Sequence, residues 1–200
     1  MIIEVGCGAG YALDTVGPLF ELAIGIDVSE ARLNQRILPP TRWRFIRSDL
    51  NRSFPLAAGC ADVIFANQVI EHISDPIFFA RQIFEILRPG GMAIVTTPNV
   101  RYVRHLWKLV VLGKGPQTAN GDTQEGPWDN GHIHYFTHND LRAIFSETGF
   151  SEVKSQALID LTKGTHLRKL LDQFSGKYFV REFFSGNILL IATKPNRILV

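Results

Sequence analysis

Short apolar runs alternate with longer amphipathic stretches along this chain. Five runs read as strands: Ile2–Val5, Leu22–Asp27, Trp43–Arg47, Asp62–Ala66 and Met92–Thr97. Their nearly continuous apolar character suits parallel strands buried on both faces. Length and β-branched content favour strand over buried helix, which periodicity alone cannot separate. The segments between them carry helix punctuation. Ser29 is placed to cap a helix running to Ile37, and Pro39-Pro40 stops it. Asp75-Pro76 reads as an N-cap and first helical position. Behind it Ile77, Ala80, Phe84 and Leu87 recur at helical spacing and predict one apolar face. Arg88-Pro89-Gly90-Gly91 is expected to end that helix and turn into the next strand.

Past Thr97 the rhythm changes. Arg101–Leu112 reads as a basic, aromatic helix, and Gly113–Gly131 as a loop rich in Gly and Pro. A loop of that length predicts a lid, a binding loop or a disordered segment. Thr137-His138-Asn139-Asp140 resembles a capping box, opening a helix that ends near Gly149. Strands over Ser151–Ile159 and Asn187–Thr193 follow, with a helix expected around Thr165–Phe174. The alternation predicts an α/β sheet layered by helices. No linker divides the chain, so residues 1–200 are expected to form a single domain, with 100–136 as a lid or substrate-side insertion. Met1-Ile2-Ile3 already reads as the body of a buried strand, so the domain is expected to be N-terminally truncated.

Composition narrows the class. An apolar fraction of 46% supports a real core. The formal charge is only +2, from 21 basic and 19 acidic residues, so no clear nucleic-acid signal is present. Two cysteines, Cys7 and Cys60, make no disulfide framework and point to a reducing, cytoplasmic home. No apolar stretch is long enough for a membrane span. Oligomeric state is not legible.

The candidate chemistry sits in Glu4-Val5-Gly6-Cys7-Gly8-Ala9-Gly10, between the first strand and first helix. Glycines there allow a sharp turn and close approach of a ligand, at the strand ends where open α/β sheets bind. A dinucleotide fingerprint needs a third glycine where Tyr11 stands, and the loop opens with a carboxylate, Glu4. An anion repels a pyrophosphate but suits a cationic amino-acid moiety. Asp27 ends the second strand, where a carboxylate can accept ribose hydroxyls. Asp49 follows the third, where one can accept an amino-group hydrogen bond from a purine. Their joint placement favours a nucleoside ligand with a positively charged tail.

In that order these segments resemble class I S-adenosylmethionine-dependent methyltransferases, in particular the type 11/type 12 small-molecule group. Ile2–Gly10 looks like the cofactor loop, and Ile26-Asp27-Val28-Ser29 resembles the ribose-binding acid followed by an apolar residue against adenine. Ser48-Asp49-Leu50, Asn67–His72, Leu87–Gly91 and His132–Phe150 are similar to later family segments, so the match covers about residues 1–150. The resemblance implies a Rossmann-like three-layer sandwich with a seven-stranded, mostly parallel sheet whose last strand, Asn187–Thr193, is antiparallel. It implies S-adenosyl-L-methionine as cofactor, held by Glu4, Gly6, Cys7, Gly8, Gly10, Asp27, Val28, Asp49, Leu50 and Asn67. It implies methyl transfer by in-line displacement to oxygen, nitrogen or carbon of a small-molecule acceptor. A catalytically inactive module that binds cofactor or partner, and an NAD-dependent oxidoreductase, are the alternatives.

Candidate bases are His72, His132 and His134, with Tyr135 behind them. An extended His132-Ile133-His134 places both imidazoles on one face. Quinone-pathway O-methyltransferases carry Glu-x-x-Glu-His after the fourth strand, linked to metal binding. Here Gln68 replaces the first glutamate, and no metal is expected. Tyr102, Trp107 and Trp128 are candidates for an acceptor pocket. Arg101, Arg104, His105 and Lys108, and more weakly Lys163, Arg168 and Lys169, form basic clusters.

Overall fold

The computed structural model describes residues 1–30, 43–115, 117–118, 131–158 and 181–196. The expected helices over Ser29–Ile37 and Thr165–Phe174, the stop at Pro39-Pro40, and Trp128, Lys163, Arg168 and Lys169 lie wholly or largely outside them.

Seven strands form one sheet: β1 (Ile2–Val5), β2 (Ala23–Asp27), β3 (Arg44–Arg47), β4 (Ala61–Asn67), β5 (Leu87–Pro98), β6 (Ser151–Leu158) and β7 (Asn187–Thr193). Their spatial order is β3-β2-β1-β4-β5-β7-β6. The first five are parallel, and β7 runs antiparallel to both β5 and β6. Strand order therefore reverses at β1 and β4, and the glycine loop leaves β1 at that switch point.

Helices cover both faces. The helices are α1 (Tyr11–Val16), α2 (Pro76–Ile86), α3 (Val103–Val110) and α4 (His138–Glu147). Successive strand residues point to opposite faces. Ile3 and Val5 join the larger core with Phe79, Ile83, Leu141 and Phe145. Ile2 joins a smaller one with Cys7, Leu13, Ala23 and Trp43. Period two puts Glu4 on the Ile2 side.

Local chemistry explains the helix starts. The Asp75 carboxylate accepts from the N–H groups of Ile77 and Phe78. Thr137 and Asp140 form the expected reciprocal capping box.

Two expectations are corrected. Arg88–Gly91 is not a separate turn: β5 begins at Leu87 and carries these residues past a register shift. Two steps along β4, Ala61 to Val63, face five along β5, Leu87 to Met92. Lys194 stabilises the detour, because the Gly90 N–H donates to its carbonyl and its own N–H to Gly91. Its ammonium donates to the carbonyls of Phe84 and Leu87 at 2.7 Å. The second correction concerns α2, whose buried face is Phe79, Ala80, Ile83 and Ile86 rather than the stripe through Ile77. Ile77 is exposed. The helix is apolar over more than one stripe, and the sheet selects the one that fits.

At the end of β5, Asn99 is fully buried and its amide donates to the carbonyls of Glu182 and Ser185. The buried Glu182 carboxylate pairs with Arg101 at 3.1 Å and Arg181 at 2.9 Å. Among the described residues no helix is long and apolar enough to cross a membrane.

Candidate functional site

The loop after β1 is built from left-handed backbone. Gly6, Gly8 and Gly10 have φ of 70°, 53° and 75°, which side chains with a Cβ adopt only under strain. Space is as restrictive as torsion. A Cβ at Gly6 would meet the Val69 side chain, and one at Gly10 would meet the Trp43 ring. The Trp43 indole is fixed by donating to Asp14 of α1 at 2.9 Å.

Above this loop lies a cleft of about 510 Å³, lined by Glu4, Gly6–Ala9, Tyr11, Ala12, Asn67 and Gln68. Glu4 is buried, and its Oε2 has no hydrogen-bond partner among the described residues. Burial pushes its carboxyl up to about 7; the nearby Asp14 and Asp27 charges add to the rise, and a Leu13 backbone hydrogen bond opposes it. Burial likewise pushes the Cys7 thiol up to about 12, so it stays neutral.

Asp27 lies beside the loop. One carboxylate oxygen accepts from the Gly8 N–H at 2.8 Å and the other from Ser29 N–H at 3.0 Å. Val28 is 57% exposed next to it, while Leu50 is buried. The Asp49 carboxylate turns to its own loop, accepting from the Asn51 backbone and side chain, and the Asn51 N–H holds it below the usual carboxylate range. Neither Asp27 nor Asp49 is in the cleft wall, and Asp27 adjoins it through Gly8.

Asn67 and Gln68 form the opposite wall. Thr96 Oγ1 donates to Asn67 Oδ1 at 2.6 Å, and the Gln68 amide donates to Thr96. Gln68 itself has φ of 56°, a non-glycine residue in left-handed backbone at the edge of a cleft. Sequence reasoning did not assign Gln68, Ala9, Ala12 or Trp43 to the site. Only the strand-end position could have flagged Gln68; Trp43 meets Gly10 across more than thirty residues.

The histidines gather next door. A 3-10 turn at Ile70–His72 follows β4, and the 132–134 segment docks on it through the N–H groups of Ile133 and His134, which donate to Glu71 O. His132 stacks edge-on against His72 with ring centroids 4.7 Å apart. His134 Nε2 reaches Ser74 O at 3.4 Å. The Tyr135 hydroxyl reaches His132 O. His72 Nδ1 donates to Gly131 O at 3.0 Å, so the neutral ring keeps its lone pair on Nε2. His132 Nδ1 shares a 2.8 Å hydrogen bond with Thr118. Glu71, fully buried, accepts from Thr97 at 3.0 Å through Oε2; its Oε1 has no partner among the described residues, and burial raises its pKa.

Glu71, His72 and His132 each offer one ligand atom within 4.8 Å of the others. Two imidazoles and one carboxylate suit a borderline transition ion better than magnesium. The expectation of no metal rested on Gln68; that His132 comes beside Glu71 and His72 is visible only in the fold.

Of the proposed acceptor-side aromatics, Tyr102 packs edge-on against His105 at 5.2 Å, while Trp107 is 59% exposed.

Residues 1–155 match the family model described as a methyltransferase domain. The chain is 36% identical over 102 residues to a "Probable S-adenosylmethionine-dependent methyltransferase" of Mycolicibacterium smegmatis, covering 49% of this chain and 38% of that protein. It is 30% identical over 105 residues to the mitochondrial ubiquinone biosynthesis O-methyltransferase of Mus musculus, covering 49% and 28%. The chain thus spans less than half the length of these relatives. A SAM-dependent methyltransferase structure from Archaeoglobus fulgidus superposes with a TM-score of 0.67 at 17% identity, covering 96% of this chain and 85% of that one.

Proposed function

We propose, since this chain belongs to the methyltransferase domain family, that it transfers a methyl group from S-adenosylmethionine to oxygen, nitrogen or carbon of a small-molecule acceptor. The observation that carries this reading is Glu4: a buried, unpartnered carboxylate oxygen in the wall of a cleft floored by glycine backbone. A dinucleotide pyrophosphate is repelled by it; a ligand ammonium satisfies it.

The sulfonium supplies the reactive methyl group. The chain's residues bind and orient. Glu4 accepts from the amino group, and Gly6, Cys7, Gly8 and Gly10 offer backbone at close range. Asp27 keeps lone pairs beyond those used by Gly8 and Ser29 and accepts the ribose hydroxyls. Val28 lies flat against adenine, with Asp49 and Leu50 at the purine edge and Asn67 at the methionine end. In-line placement of the acceptor is the main catalytic contribution. His72 Nε2 is the candidate base, with His132 and His134 shaping the acceptor side. No step is assigned to a metal. Residues 1–200 are read as one domain with 100–136 on the acceptor side, and the free Cys7 and Cys60 fit a cytoplasmic home. The mouse relative's role in ubiquinone biosynthesis supports a small-molecule acceptor.

Calorimetry with S-adenosylmethionine, its demethylated product and NAD, followed by incubation with labelled donor and a metabolite pool, tests the proposal. Donor binding with label transfer is expected. NAD binding alone overturns it for an oxidoreductase, and donor binding without transfer favours the inactive module. If His72 is the base, His72→Ala lowers kcat roughly 10²–10⁴-fold and leaves donor Kd unchanged.

A further inference from the structure

Helix α3 turns its apolar residues the wrong way for a core helix. Val103, Trp107, Val110 and Val111, spaced i, i+4, i+7 and i+8, share one face, and they are 42%, 59%, 78% and 53% exposed. No side chain of α3 is buried. Arg104 and Lys108 flank that face one turn apart, and Lys114 follows beyond the helix. None of the three makes an ion pair among the described residues. No Asp or Glu occurs between Glu85 and Asp122. The result is an apolar stripe whose basic border meets no acid among the described residues.

We infer that α3 is a reversible docking element for an anionic lipid surface. Its Val103–Trp107–Val110–Val111 face enters the boundary between headgroups and acyl chains, while Arg104, Lys108 and Lys114 meet the anionic headgroups. An amphipathic helix with Trp and Val on one face and Lys and Arg beside it has the composition for this. A second copy of the chain fits worse. An isologous contact through the same face brings Arg104 and Lys108 towards their own equivalents, and one face of a helix only about 12 Å long offers a small part of the ~800 Å² per partner that stable dimers bury. A bilayer imposes no such minimum, and its surface charge matches the border.

The location is consistent. α3 follows the carboxyl end of β5, and β1, β4 and β5 are parallel. α3 therefore starts from the same edge of the sheet as the glycine loop. The inference does not depend on methyl transfer.

Flotation of the full chain with vesicles of pure phosphatidylcholine, and with vesicles containing about one quarter phosphatidylglycerol, tests it. Binding to the anionic vesicles, weakened by salt and absent on neutral ones, is expected. Val110→Asp should cut the partition at least roughly tenfold, since it removes a valine that the bilayer would bury and adds an anion. Lys108→Glu should weaken it severalfold. Leu19→Asp, which removes an 80% exposed residue outside α3, should leave it unchanged. Circular dichroism and Tm of each variant should match the parent. The inference is overturned by failure to float with anionic vesicles, or by flotation that survives Val110→Asp. Self-association lost in Val110→Asp without any vesicle binding also overturns it and assigns the face to a second copy. Capture of an acidic peptide without vesicle binding overturns it in favour of a protein partner.

Discussion

Gly10 and Gly115 stand at opposite extremes of this molecule. A methyl group on Gly10 would run into the Trp43 ring, and its backbone is left-handed at φ 75°; one on Gly115 would meet nothing within 4 Å. The first belongs to the cleft edge, where packing, torsion and the Asp14–Trp43 hydrogen bond hold one shape. The second follows α3, where side chains face outward. A ligand that must be gripped the same way each time calls for the first construction. A surface that meets varied or fluid partners tolerates the second. Both belong to segments that leave the sheet at one edge, after β1 and after β5.

The largest expected break in this contrast is Gly10→Ala. Left-handed strain of about 1–2 kcal/mol adds to about 1–3 kcal/mol of overpacking. Urea denaturation should show a loss within that sum, and calorimetry should show donor binding lost with it. Gly115→Ala should leave the unfolding free energy unchanged or raise it by up to about 1 kcal/mol through the unfolded chain.

Glu4 sharpens the comparison through pH. Its carboxyl is raised from 4.5 to about 7 in the folded protein. Below pH 4.5 both states hold the proton. Between there and about 7 the unfolded chain releases it and the folded chain keeps it, so stability falls as pH rises. The loss approaches about 3 kcal/mol by pH 8. Glu4→Gln should flatten that part of a stability–pH profile and stabilise the ligand-free protein at pH 8, while weakening donor binding. A variant that kept the slope would remove Glu4 as its source.

Asp27→Ala is a smaller step. It removes the acceptors for Gly8 and Ser29 N–H and the proposed ribose contact. Charge-assisted hydrogen bonds of about 1.5–3 kcal/mol translate to a roughly ten- to hundredfold rise in donor Kd, read by calorimetry. Unchanged affinity would remove Asp27 from the cofactor site.

Local signals in the chain were the readable ones. β7 falls on Asn187–Thr193 as expected, and Asp75 and Thr137 cap the helices they precede. Each of these depends on neighbours a few residues apart. The unreadable features are made by distant partners. The β5 register shift depends on Lys194 from the far end of the chain, and the α2 face is chosen by the sheet. The glycine loop was legible as a turn for a ligand, since glycine spacing and strand ends are sequence features. Its wall of Gln68, and the meeting of His72 with His132, arise from β4 lying beside β1 and from the 132–134 segment folding back on the turn.

Glu182 ties the root of α3 to the chain's far end, since Arg101 pairs with its carboxylate and Asn99 with its carbonyl. The helix is thus a cantilever, anchored at its root, and its tip has no buried side chain among the described residues. A load on Val110 or Val111 would be carried through Arg101 and Asn99 into residues 181–185 and the start of β7. Loosening that anchor, far from the cleft in sequence, would let α3 swing.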